Sequence, residues 1–282
     1  MSRDVAQLVA AVRGASEAAR TRAAGRLMTA LADRTKAVGE LLAVLNAREL
    51  PRPGYVLGIT GAPGAGKSTL VDALVARLLK RAANMRIAVA AVDPTSPFSG
   101  GAVLGDRVRM MRLALENRVF IRSLATRGEL GGVCRALPGI LAAAKLWGAD
   151  LAIVETVGVG QSEIEIARHA DHTALVMAPG LGDGVQWLKA GLMEIGDSFI
   201  VNKSDRDGAS LLVAQLTAAV ESLSMRPRRR LRPLRTGQHA PLVPPVVAVS
   251  AEAGTGIDEL LEHLRLDEHS LGYPEHAAHV RW

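Results

Sequence analysis

The sequence predicts an α/β fold, a mostly parallel sheet flanked by helices and preceded by a short helical extension. Three observations carry that expectation. Short apolar runs of strand type alternate with longer segments in which apolar residues recur at helical spacing. The 282 residues are 49% hydrophobic but include only three Phe, two Tyr and three Trp, so the core must be built from Ala, Val, Leu and Ile, as suits buried parallel strands. Finally, Gly58-Ile59-Thr60-Gly61-Ala62-Pro63-Gly64-Ala65-Gly66-Lys67-Ser68-Thr69-Leu70 has the spacing of a phosphate-binding loop and joins a strand run to a helical one.

Residues 4–47 place Leu8, Val9, Val12, Leu27, Leu31, Leu41 and Leu45 among Arg, Asp and Glu without proline, which reads as two or three amphipathic helices. Positive charges are interleaved with acids there, so this extension, residues 1–50, is expected to pack rather than to bind nucleic acid. Pro51-Arg52-Pro53-Gly54 ends the helical run, and the first strand follows at 55–59. In the loop Gly61, Ala62, Pro63, Gly64, Ala65, Gly66, Lys67, Ser68 and Thr69, the glycines let consecutive N–H groups turn around a phosphate. Lys67 is expected to reach the β- and γ-phosphates and Ser68 to ligate Mg²⁺. The helix carrying Leu70, Val71, Leu74, Val75 and Leu78 adds the partial positive charge of its N-terminus.

The run 86–92 reads as a buried strand that delivers Asp93 at its carboxyl end, the edge where open α/β sheets bind ligands. Pro94 and Pro97 stop it. A Gly-rich loop over 99–105 then enters a helix near Asp106, placing Asp93 and Asp106 to support Mg²⁺ directly or through water. Asp106 reads equally well as a helix cap beside Gly105. A strand at 119–123 is followed by Thr126-Arg127-Gly128 and a helix to about Trp147. The strand beginning at Leu151 ends in Glu155, with Gly158 three residues on. In nucleotide hydrolases such an acid faces Mg²⁺ or the attacking water, while the glycine N–H senses the γ-phosphate. A strand at 173–178 leads into a loop and helix over 179–189, again at the ligand edge.

The strand 198–201 ends in Asn202-Lys203-Ser204-Asp205, a pattern with a physical reason to prefer guanine. A carboxylate accepts from guanine N1–H and the exocyclic amine, whereas adenine offers no such pair and would leave a poorly solvated carboxylate unpaired. A helix is expected from 207 to 224, then a proline-broken basic stretch from Met225 to Arg235, read as a solvated insertion or a contact for an acidic partner or a phosphate-bearing ligand. The last strand, 246–249, brings Ser250 and Ala251 to the guanine edge through backbone N–H groups. A helix from 256 to about 266 closes the domain, taken as 51–268. In the tail, 269–282, His269, His276 and His279 match no tight metal motif.

Net charge of +6 fits anionic ligands or an acidic partner, and the single cysteine, Cys134, excludes an intrachain disulfide or a cysteine zinc cluster. With no signal core and no run of ~18 apolar residues, the expectation is a cytoplasmic protein without a membrane partner.

Taken together, Gly61 to Ser68, Asp93-Pro94-Thr95-Ser96, Ser99-Gly100-Gly101 with Leu104-Gly105-Asp106 and Arg109-Met110, Thr126-Arg127-Gly128, the string from Glu155 to Glu163, Gly182-Asp183 with Gln186 and Lys189, and Asn202 to Asp205 resemble the MeaB/ArgK/MMAA family of P-loop GTPases. The resemblance implies a P-loop NTPase fold and a chaperone of an adenosylcobalamin-dependent, methylmalonyl-CoA-type mutase, in which binding and hydrolysis of GTP to GDP gate cofactor delivery and protect the mutase. It implies that Lys67 and Ser68 hold phosphate and Mg²⁺, that Asp93, Asp106 and Glu155 support metal or water, and that Asp183, Gln186 and Lys189 engage nucleotide when the mutase docks. Weak intrinsic turnover stimulated by the partner follows. The family's homodimer uses a C-terminal helical arm, whereas this sequence stops at Trp282, which leaves dimerisation open. The rival readings are a metal-inserting GTPase of the hydrogenase or urease type, which would need Cys and His ligands, an ATP-using kinase or transport-linked ATPase, and a scaffold with a structural nucleotide.

Overall fold

Strand β1 (Tyr55–Gly61) is buried along its whole length and lies at the centre of the sheet. The computed structural model describes residues 5–14, 16–33, 35–47, 50–93, 113–125, 132–156, 162–181, 192–224, 243–264 and 266. In it, β2 (Ile87–Asp93), β3 (Val119–Ala125), β4 (Leu151–Thr156), β5 (His172–Met177), β6 (Ser198–Val201) and β7 (Val246–Ala248) join β1 in the order β3-β2-β4-β1-β5-β6-β7. Every pairing is parallel. Strands β2 to β4 lie on one side of β1 and β5 to β7 on the other, and the connection leaving β1 crosses toward β2 while the one leaving its neighbour β4 crosses toward β5, so the two part beyond their carboxyl ends. In such sheets the crevice beyond the carboxyl ends at that point is where ligands bind.

Alternation along the strands sorts side chains to two faces. On one, Leu57, Ile59 and Ile153 pack with Leu70, Leu74 and Leu78 of α4 (Lys67–Arg81) and with Leu260 and Leu261 of α8 (Ile257–His263). On the other, Val56 and Val154 meet Leu137 and Leu141 of α5 (Gly132–Trp147) and Ile166 of α6 (Ser162–His169). Farther along the sheet, Leu175, Phe199 and Val201 pack with Leu216 and Val220 of α7 (Ala209–Ser224).

The expected N-terminal helices are three: α1 (Val5–Gly14), α2 (Glu17–Asp33) and α3 (Thr35–Leu45). Their buried Leu8, Val12, Leu27, Leu31 and Leu41 form one cluster with Ala88 and Ala90 of β2, Phe120 of β3, and Ile140 and Trp147 of α5. The extension therefore shares a core with the β2–β3 end of the sheet. Polar contacts orient it: the Trp147 indole N–H donates to Thr21 Oγ1 at 3.0 Å, and the Arg86 guanidinium lies 4.1 Å from the Trp147 ring centroid while donating to Glu17. That hydrogen bond from Arg86, with the attraction of Arg86 and Arg20, holds the Glu17 carboxyl below its ordinary value despite partial burial.

Candidate functional site

Nine polar or charged residues are buried among the described residues, and seven of them, Thr60, Lys67, Ser68, Glu155, Thr156, Asn202 and Ser250, gather at the carboxyl edge of the sheet. Buried polar groups persist only where partners satisfy them, so this clustering marks the edge as built for more than packing. Ile59 is in register with Glu155, Gly61 with Val176, and Val201 with Ala248, which brings the ends of β1, β4, β5, β6 and β7 to one line.

The loop leaving β1 is shaped by its glycines. Gly61 has φ of +143°, and a Cβ there would sit 2.0 Å from the Val176 carbonyl oxygen, so no other residue fits between β1 and β5. Gly66, with φ of +83°, is the residue that starts α4, and a Cβ on it would fall 2.5 Å from Asn202 Nδ2. Three side chains take up the loop's carbonyls. Lys67 Nζ donates to Gly61 O at 2.9 Å and to Ala62 O at 3.0 Å. Asn202 Nδ2 donates to Ala65 O at 2.9 Å and Gly66 O at 3.3 Å, and Lys203 Nζ donates to Gly64 O at 2.7 Å. With the carbonyls of Gly61, Ala62, Gly64, Ala65 and Gly66 so engaged, the loop has the polarity that suits an anion, its N–H groups being the complement of its bonded carbonyls.

The expected metal-side residues meet. Ser68 Oγ donates to Glu155 Oε1 at 2.7 Å, and both residues are buried. Strand alternation explains why: Glu155 lies on the same face as Ile153, which is the face covered by α4. These hard oxygen donors, one of them a carboxylate, fit a hard cation such as Mg²⁺. Asp93 ends β2, in register with Ala125 and one residue beyond the Val92 and Thr156 pair, so its backbone reaches the same edge. Asp106, Asp183, Gln186 and Lys189 lie outside the described residues, as do the basic stretch and the histidines of the tail.

On the base side, Asn202 does more than its place in the tetrad foretells. Besides gripping the loop, its Oδ1 accepts from the Ala251 N–H at 3.0 Å, which ties Ala251, expected at the guanine edge, to the tetrad. Lys203 takes a left-handed backbone, φ of 59°, and Ser204 N–H donates to Val249 O at 3.0 Å, tying the loop after β6 to the segment after β7. Asp205 is exposed in this structure, so the desolvation on which the guanine preference rests would come from the base itself. A hydrogen bond from the Ser250 hydroxyl, then its own backbone N–H and the nearby Arg206, hold the Asp205 carboxyl below its ordinary value and so ionised at neutral pH.

Sequence reasoning missed the reach of Asn202 into the phosphate loop and the buried Thr60 and Thr156 pair. Threonine in an apolar strand run is common, and nothing in the spacing sets these two apart. Among the described residues, no three His, Cys, Asp or Glu side chains cluster as the ligands of an all-protein metal site such as zinc's, and no helix is long and apolar enough to cross a membrane.

Comparison with known proteins supplies the family. A protein of Pyrococcus horikoshii named as a GTPase is 46% identical over 211 residues, 75% of this chain and 63% of that one. The mouse mitochondrial protein named as the methylmalonic aciduria type A homolog is 35% identical over 238 residues, 82% of this chain and 54% of its own. The chain thus spans less than two thirds of the length of either relative. Among solved structures, one titled LAO/AO transport system kinase matches with a TM-score of 0.67 at 26% identity, covering 96% of this chain and 78% of that one. The family model described as methylmalonyl Co-A mutase-associated GTPase MeaB matches residues 22–277, which takes in the phosphate loop, Glu155 and the Asn202 to Asp205 tetrad. A parallel sheet whose carboxyl edge joins those three features, matched by that model over most of its length, belongs to the MeaB family of P-loop GTPases.

Proposed function

We propose that this protein binds GTP with Mg²⁺ at the carboxyl edge of its sheet, hydrolyses it to GDP and phosphate, and thereby gates adenosylcobalamin delivery to, and protects, a methylmalonyl-CoA-type mutase. The observation that supports the nucleotide half is the bracket made by Asn202, which bonds at once to Ala65 and Gly66 of the phosphate loop and to Ala251 beside the base-reading segment. A ligand long enough to carry a base at one end and phosphates at the other would be held by a single connected unit. The mutase half is supported by the description of the family and by the name of the mouse relative.

In this reading each residue has a defined task. The Lys67 ammonium, resting on the carbonyls of Gly61 and Ala62, exchanges them for phosphate oxygens, so its desolvation is already met before the ligand arrives. Ser68 and Glu155 hold Mg²⁺, which when bound neutralises charge on the β- and γ-phosphate oxygens. Asp93 and Asp106 support that metal, and Asp183, Gln186 and Lys189 engage the nucleotide when the mutase docks. Asp205 accepts from the guanine edge. Phosphoryl transfer to water then depends on positioning and charge stabilisation, with little covalent chemistry left for the protein.

Fluorescent GDP and ADP titrations of the wild type and of Asp205→Asn test the nucleotide half. Tight GDP binding, weak ADP binding and loss of that preference in the variant are expected, and ADP binding as tight as GDP would overturn it. GTP turnover with and without a purified cobalamin-dependent mutase tests the other half. A rate that the mutase leaves unchanged would remove the chaperone assignment.

A further inference from the structure

The hydroxyls of Thr60 and Thr156 are buried polar groups at the carboxyl edge that none of these steps uses. Thr156 Oγ1 donates to Thr60 Oγ1 at 2.9 Å, and the two residues are 1% and 0% exposed. They stand one position beyond the register pair Ile59 and Glu155, where β1 and β4 end. By alternation they lie on the face opposite Glu155, the one otherwise lined by Val56, Val154, Leu141 and Ile166. On such a face valine has the same shape and a high strand preference, and burying hydroxyls carries a desolvation cost that a neutral hydrogen bond only about offsets. The pair is better explained by what it holds in place than by what it adds to the core.

Each threonine is the chain neighbour of a residue in the site. Thr60 precedes Gly61, whose carbonyl accepts from Lys67, and Thr156 follows Glu155, whose carboxylate accepts from Ser68. A bond between the two hydroxyls therefore fixes the root of the phosphate loop against the strand end that aims the acid. We propose that Thr60 and Thr156 are positioning residues, a cross-strand hydroxyl clamp that sets the separation of Ser68 and Glu155 and with it the grip of the site on Mg²⁺. The inference rests on the nucleotide reading above.

The test uses the full chain with Thr60→Val, Thr156→Val, the double variant and Thr156→Ser. Release of a fluorescent GDP is followed against Mg²⁺ concentration, with release in excess EDTA and the thermal midpoint without nucleotide measured alongside. For the valine variants the Mg²⁺ concentration that half-maximally slows release should rise about tenfold, the low end for loss of a group supporting a metal ligand. Release in EDTA should stay at the wild-type rate. The double variant should match the singles, because one clamp is lost in each, and Thr156→Ser should return to wild type. Equal Mg²⁺ midpoints in all five proteins, with only the thermal midpoint lowered in the valine variants, would overturn the proposal and leave the hydroxyls as packing. Should Thr156→Val not fold, the double variant, which leaves no orphaned hydroxyl, decides the same question. A wild type that does not hold GDP at all would instead sink the nucleotide reading, and one that holds GDP no better with Mg²⁺ than without it would remove the metal role of Ser68 and Glu155 and the clamp with it.

Discussion

The carboxyl edge of the sheet and the layer formed by α1, α2 and α3 are both buried, but they are held by opposite means. At the edge, the bonds are polar and reach far along the chain: Ser68 to Glu155 spans 87 positions and Asn202 to Ala65 spans 137. In the helical layer the side chains are apolar, with Leu27, Met28, Leu31 and Leu41 at 2% exposure or less, and the polar contacts of Thr21, Thr29 and Glu17 sit at its margin. The difference teaches what each region is for. Apolar burial is strong and undirected, so it suits a layer that only has to stay in place. Polar bonds add little net stability but fix direction, so they suit a site whose donors must already point at a ligand before it arrives.

Two substitutions should separate the regions most sharply. Lys67→Ala is expected to lower GTP turnover by about 10²–10³, or about 3–4 kcal/mol of transition-state stabilisation, measured as phosphate release under saturating GTP. Its thermal midpoint without nucleotide should fall less than that of Leu27→Ala, because the change removes polar bonds of small net worth and not an apolar core side chain. Leu27→Ala should do the reverse. Leu27 is 0% exposed, and its truncation should cost about 3 kcal/mol in urea unfolding while the folded fraction keeps its affinity for GDP. A Leu27 variant that folds but loses GDP, or a Lys67 variant that unfolds, would erase the distinction.

The base loop offers a smaller and more selective effect. Asp205→Asn should weaken GDP binding by about a hundredfold and barely alter ADP binding, since only guanine offers the two donors that a carboxylate accepts and an amide cannot. Titration with the two fluorescent nucleotides reads this directly, and it sharpens the comparison because Asp205 is exposed and should carry recognition with only a small share of stability.

Much of this arrangement is legible in the residues, and the rest is hidden for definable reasons. Strand runs such as 55–59 and 151–155 stand out because parallel strands buried on both faces have little choice but apolar residues, and Gly or Pro bounds them. Glu155 and Asn202 are found where strands end, and Lys67 and Ser68 open the helix that follows the loop leaving β1, so their places in the chain put all four at one edge of a parallel sheet. Strand order is not readable in this way, since β4 inserts between β1 and β2 and no local pattern says so. Nor does any local pattern say that Leu27 and Leu31 of the extension cover β2 and β3 instead of packing on one another alone. Asn202 shows the limit most clearly: its tetrad is a local signal, but its bonds to Ala65 and Gly66 depend on β6 and β1 ending at the same edge with β5 between them.

The smallest expected effect concerns the margin of the helical layer, where one charged contact stands beside the apolar ones. Glu17 accepts from Arg86, which also lies over Trp147, so the pair ties the start of α2 to the end of α5. The carboxyl is held below its ordinary 4.5 first by that hydrogen bond, so in the folded state it keeps its charge to lower pH than in the unfolded chain. A depressed carboxyl stabilises the fold above its unfolded value and loses that contribution as pH falls through its folded one. The Glu17 side chain is 36% exposed, so solvent screening keeps the contribution below about 1 kcal/mol. Glu17→Gln should therefore unfold at slightly lower urea than the wild type at neutral pH, with the gap closing as pH drops below 4.5. Nucleotide affinity should be unchanged in Glu17→Gln at neutral pH, because nothing in the pair touches the carboxyl edge. A gap that persists unchanged into acid would mean that the Arg86 contact acts through the shape of the side chains and not through the charge of Glu17.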